Sequence, residues 1–95
     1  MNDIVNIKTV TAKKLIAEGD NFKSVCFIFD KGKGMEDHEA SGTAILQVLS
    51  GSVRLVCENG DRAELKKEDF LSFDASVTHS ITANERSKVV VTVVN

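Results

Sequence analysis

From Thr43 to Asn95 the chain is one short extended segment after another, each closed by a turn. "TAILQVLS" is rich in the β-branched and aliphatic residues that suit a pleated surface. A Gly-Ser break follows, and then "VRLVCE" carries its charges, Arg54 and Glu58, on one parity. "NGD" at 59–61 is a strong hairpin signal, because Asn-Gly tolerates positive φ at both turn positions. "RAELKKEDFLSFD" gives two more strands around a polar centre, and "SVTHSITA" and "SKVVVTVV" close the series. Strands this short and this closely spaced predict a sandwich or barrel. Buried helices are a poor alternative, since the runs lack a 3.6-residue period and good helix formers.

Upstream, the readings are more open. "DIVNIKTV" at 3–10 reads as a short strand. "TAKKLIAEG" at 11–19 reads either as a helical turn capped by Thr11 and stopped by Gly19, or as an irregular arm packing Leu15 and Ile16. "FKSVCFIFD" is apolar on both parities, the pattern of a strand covered on both faces. "KGKG" at 31–34 is a turn. The 95 residues show no linker or internal repeat. They read as a single domain, with 1–20 as an amino-terminal arm and 21–95 as the barrel core.

Composition narrows the class of partner. Charged residues make up 27% with a net charge of −2, which argues against a dedicated nucleic-acid or anionic-membrane binder. "MNDIVNIKTV" has no basic start followed by an apolar core, and no apolar run reaches the ~20 residues of a membrane span, so a cytoplasmic location is expected. Cys26 and Cys57 lie inside apolar segments without C-x-x-C spacing and read as buried free thiols. Strands apolar on both faces need cover outside the barrel as well as inside, and homodimerisation through a sheet face would supply it. Gln47, an amide in an apolar strand, faces either such a partner or solvent.

The chemistry-bearing residues fall at a definite spacing. Gly32 is followed by five residues and His38, and Gly51 comes thirteen residues after His38. His79 is the second histidine of the chain. With the strand rhythm and the "NGD" hairpin, this spacing resembles that of the cupin family, whose RmlC-like members are double-stranded β-helix, or jelly-roll, barrels. "GKGMEDHEASGTAILQVLSG" is similar to small single-domain cupins that read G-x-G-L-P-E-H and then A-L-x-Q-V-L-x-G. The family's first motif is Gly, five residues, His-x-His, three or four residues, Glu, six residues, Gly. Its second is Gly, five residues, Pro-x-Gly, two residues, His, three residues, Asn. In this chain the second histidine position falls on Ala40 and the glutamate position on Ala44. The second motif falls on Glu68, Asp74, Ser76, His79 and Ala83.

The resemblance implies an all-β fold with little helix and a site at the barrel centre. In the family, those three first-motif ligands and the second-motif histidine hold one divalent metal, such as Fe, Mn, Zn or Ni. His38 and His79 keep two of these positions, which is short of the usual donor count. Glu36 shares the parity of His38 and is a candidate third ligand if the stretch is extended. Cys57 shares the parity of Val53 and Leu55 and is another. A pocket for an organic ligand would be built from His38, His79, Phe27, Phe29, Leu46, Val48, Leu55 and Ile81, although those apolar residues also suit a plain core. Three functions follow: a small-molecule binder with a degenerate metal site, a metal-dependent oxygenase, isomerase or decarboxylase, or an interaction protein with a vestigial pocket.

Overall fold

A computed structural model describes residues 3–95. Residues 1 and 2, the first of the expected arm, lie outside the described residues. Among the described residues nine strands are formed: β1 (Lys14–Glu18), β2 (Phe22–Phe29), β3 (Gly34–His38), β4 (Thr43–Ser50), β5 (Ser52–Cys57), β6 (Arg62–Lys66), β7 (Phe70–Asp74), β8 (His79–Ala83) and β9 (Ser87–Val94). They make a five-stranded sheet, β1-β2-β9-β4-β7, and a four-stranded sheet, β3-β8-β5-β6. The pairs are antiparallel throughout, and the two sheets face each other as the jelly roll expected from the sequence. The only helical segment among the described residues is a 3-10 turn at Ile7–Thr9.

Period-two burial builds the core. Ala44, Leu46 and Val48 of β4, Val53, Leu55 and Cys57 of β5, and His79, Ile81 and Ala83 of β8 are buried, while neighbours such as Gln47, Arg54 and Thr82 are exposed. Leu46, Val48, Val53 and Val89 are sealed from solvent at the centre. Burying an aliphatic side chain of this size contributes about 1.5–3 kcal/mol.

Strand β9 is buried on both faces. Val89 and Val91 join the inter-sheet core. Val90 joins a second cluster on the outer face with Cys26 and Val10, flanked by Val5, Ile7, Ile16 and Leu49. The outside cover for these two-faced strands therefore comes, on this side, from the chain's own amino-terminal segment. The Lys88 ammonium donates to the Ile7 carbonyl at 2.9 Å and ties that segment down.

Two local expectations change here. Residues 3–10 are not a strand: the Asn6 side chain accepts from the Lys8 amide and winds the chain into the 3-10 turn. Residues 14–18 are neither helix nor irregular arm, but an edge strand paired with β2. An irregularity between Leu15 and Ala17 accounts for the difference. It breaks the period-two pattern that marks a strand in sequence, sending Ile16 to the outer cluster and leaving Leu15 exposed.

The turns show which family positions are backbone devices. Gly32 and Gly51 have φ of +82° and +86°, the left-handed region. A Cβ on Gly51 would lie 2.6 Å from the Arg86 carbonyl oxygen. Glu68, where the second motif has glycine, takes the same conformation with φ +75°. A side chain there costs about 1–2 kcal/mol, against about 0.5–1 kcal/mol for glycine's greater loss of freedom on folding. Glu68→Gly is therefore expected to stabilise the protein by roughly 0.5–1 kcal/mol and raise Tm by about 3–6 °C in a thermal melt. A lower Tm would show that the exposed Glu68 side chain contributes more than its strain costs.

Candidate functional site

One rung across the four-stranded sheet carries the chemistry. Cys57 on β5 pairs with His79 on β8, which pairs in turn with His38 on β3. Residues directly opposite in a ladder project to the same face, so all three enter the barrel. The imidazole centroids of His38 and His79 are 4.3 Å apart at an interplanar angle of 60°. Phe73, reaching in from the other sheet, meets His79 edge-on at 4.8 Å.

Each ring is oriented by the backbone carbonyl two residues before it. His38 Nδ1 lies 2.8 Å from the Glu36 carbonyl oxygen, and His79 Nδ1 lies 2.8 Å from that of Val77. A carbonyl only accepts, so Nδ1 carries the proton and donates. In the neutral ring, Nε2 is then a bare lone pair. Neither Nε2 has a hydrogen-bond partner among the described residues.

The two rings stand on the wall of a cavity of about 200 Å³. The rest of the lining comes from Lys23, Val25 and Phe27 on β2, Met35 on β3, Ala40, Ala44, Ala75, and Val91 and Val93 on β9. Lys23 is exposed at the edge of the cavity, and the Lys13 ammonium sits 5.4 Å from the Phe27 ring centroid. Ala75 is fixed by an Asx turn: the Asp74 carboxylate accepts from the Ser76 amide at 2.9 Å and from its hydroxyl at 2.6 Å. These bonds hold the Asp74 carboxyl below its usual range. Asp74 and Ser76 stand where the second motif has Pro and Gly, so a polar turn does the work of a rigid one.

Several expected site residues lie elsewhere. Phe29, Leu46, Val48, Leu55 and Ile81 do point inward, but they pack against one another in the main core. Opposing side chains from the two sheets fill that layer, and the opening is left beside it, where Ala40, Ala44 and Ala75 are among the lining residues. Glu36 is exposed and borders a separate surface depression with Asp37 and Ser80. The cause is a bulge: Met35 pairs with Ile81 and His38 with His79, so Glu36 and Asp37 on β3 stand opposite Ser80 alone on β8. Met35 and His38 both enter the cavity, and Glu36 and Asp37 are expelled together. Cys57 is buried in the core beside His79 but does not line the cavity. Burial first, and then the Asp61 charge, push its thiol up, away from the thiolate form that binds metal.

Ala40 and Ala44 stand on this same wall with His38 and His79. The four positions of the family's metal ligands thus converge on one cavity, with imidazoles at two and methyl groups at the others. No group of three or more His, Cys, Asp or Glu among the described residues is placed to hold an ion. Two histidines fall short of the three or four protein ligands that a resident divalent metal usually has.

The comparisons with known proteins agree with this architecture. The family model described as "Cupin domain" matches residues 25–95, and the chain belongs to the cupin family. A cupin superfamily protein from Desulfitobacterium hafniense superposes with a TM-score of 0.84 at 20% identity, covering 93% of this chain and 85% of that one. An RmlC-like cupin protein from Desulfovibrio desulfuricans gives 0.83 at 24%, covering 99% and 96%. Salicylate 1,2-dioxygenase from Pseudoaminobacter salicylatoxidans, in complex with gentisate, gives 0.69 at 19%, covering 77% of this chain and 20% of that one. No curated protein matches the sequence. No helix among the described residues is long and apolar enough to cross a membrane.

If methyl groups are all that separate this wall from a metal site, restoring the ligands rebuilds it. The double variant Ala40→His, Ala44→Glu is expected to take up one equivalent of Zn²⁺ or Ni²⁺, about 100-fold or more tighter than the parent chain. Titration calorimetry on both proteins checks this, with unchanged far-UV circular dichroism as the control for folding.

Proposed function

We propose that this chain is a small-molecule-binding cupin whose family metal site has become an organic ligand pocket. The observation that carries the reading is the cavity itself. It is open, about 200 Å³, walled mainly by alkyl and aromatic groups, with His38 and His79 on the wall and Lys23 at the border. Apolar cavities of about 150 Å³ take a ligand the size of benzene, so the space suits a monocyclic or short branched molecule. The two imidazoles supply orientation, as sparse polar groups do in apolar pockets.

Filling the space separates binding from folding. Ala44 is buried on the cavity wall, so Ala44→Leu projects a larger side chain into the opening. The variant is expected to keep or slightly exceed the parent Tm, while losing any saturable rise in Tm that small monocyclic ligands give the parent. A ligand-induced rise that survives Ala44→Leu would remove the pocket from consideration.

A second reading, a metal-dependent oxygenase, isomerase or decarboxylase using His38 and His79, has one specific observation in its favour. Both rings donate Nδ1–H to a backbone carbonyl, the anchoring that metal-ligating histidines commonly have. Substoichiometric transition metal in protein purified without a nickel column would set this reading aside.

We also propose that the protein is a homodimer joined through the outer face of the five-stranded sheet. Its own amino-terminal segment covers the β2–β9 part of that face. Phe70, 63% exposed, pairs with the exposed Gln47 on the part left open. A second copy placed there would bury both. Sedimentation at micromolar concentration is expected to show a dimer for the parent and a monomer for Phe70→Lys.

A further inference from the structure

We infer that the pocket selects a ligand bearing a hydroxyl group, with that O–H directed at His79 Nε2 and the apolar body toward the valines. The inference rests on the small-molecule reading above and specifies the ligand class of that same cavity.

The direction of hydrogen bonding at His79 decides the ligand class. His79 is 3% exposed, and its Nδ1 proton is committed to the Val77 carbonyl. The neutral ring therefore offers only an acceptor at Nε2. No buried side-chain nitrogen or oxygen among the described residues is both sealed from solvent and without a partner. His79 Nε2 has no protein partner, so it is open to solvent, and its ring borders the cavity. An apolar ligand seated there would strip water from this acceptor and return nothing, which is the costly case for a polar group. A ligand that donates recovers the bond.

Charge at the mouth narrows the donor. Lys23 borders the cavity and Lys13 lies over Phe27, one of its walls. An ammonium donor would meet two like charges on entry. A carboxylate directed inward would set its lone pairs against that of His79. A neutral hydroxyl suffers neither conflict, and a phenol also fits the volume and the aromatic wall. His38, only half-buried, can exchange its own Nε2 contact with solvent.

Phenol and toluene differ by a hydroxyl for a methyl at nearly constant shape, so they isolate the donor. At about pH 8, calorimetric titration of the parent protein is expected to give phenol a Kd about 3–10-fold below that of toluene. In His79→Phe, which keeps a ring beside Phe73, the order is expected to reverse. Should that variant not fold, ¹⁵N spectra of the parent histidines supply the second test. His79 Nε2 is expected to be the unprotonated nitrogen, shifted by phenol and not by toluene. Equal or tighter binding of toluene by the parent would overturn the hydroxyl inference while leaving the pocket intact. So would a protonated Nε2 in the free protein. Failure of both probes to bind would overturn the pocket reading along with it.

Discussion

Between Met35 and His38, strand β3 has two residues where its partner β8 has one. The bulge turns Met35 and His38 to the same side and drives both intervening carboxylates to the surface. It also leaves the Glu36 carbonyl 2.8 Å from His38 Nδ1, which orients the imidazole. If the same four residues alternated strictly, Glu36 would share the inner face with His38, Met35 would leave it, and the cavity would hold a charge. The apolar character of the pocket, the absence of a third ligand and the tautomer of one ring all depend on this local change of register.

Much of the fold was legible because burial on one face enforces a period of two. The inward series Ala44, Leu46, Val48 and Val53, Leu55, Cys57 could be read directly from the sequence. The same reasoning misplaced Glu36, because parity holds only while a strand is regular and a bulge leaves little compositional trace. It also failed at residues 14–18, where Leu15 and Ile16 do not alternate cleanly across an irregular edge pairing. Parity marks which residues point inward, but not at which height along the barrel the opposing side chains fail to meet. That is why Phe29, Leu46, Val48, Leu55 and Ile81 proved to be core, and why Lys23, Val25, Met35, Ala75, Val91 and Val93 were missed as wall. Lys23 and Val25 share the parity of Phe27, and Val91 and Val93 pair opposite them, so the signal was present on β2 and β9. The sharpest clue was Ala40 and Ala44: a motif that keeps its spacing while exchanging large ligands for methyl groups leaves a space of known position.

The motif positions separate into two roles. Gly32, Gly51 and Glu68 satisfy a requirement on the backbone, since each turn demands positive φ. His38, Ala40, Ala44 and His79 carry only side-chain chemistry, and two of them have changed. Even Glu68 keeps the left-handed turn after losing the glycine that makes it easy. The backbone geometry of these turns is thus kept while side chains at the family's ligand positions are not, as expected when a fold is reused for different sites.

The order β1-β2-β9-β4-β7 places the last strand between two that are made much earlier. Until β9 has left the ribosome, β2 and β4 have no common neighbour and the five-stranded sheet exists only as separate fragments. Lys88, which ties down the amino-terminal segment, is itself on β9, so that segment has no anchor and the Cys26 thiol no full cover until then. Assembly of this barrel is consequently governed by contacts distant in sequence, and the nascent chain depends on being held soluble until synthesis has passed Val94.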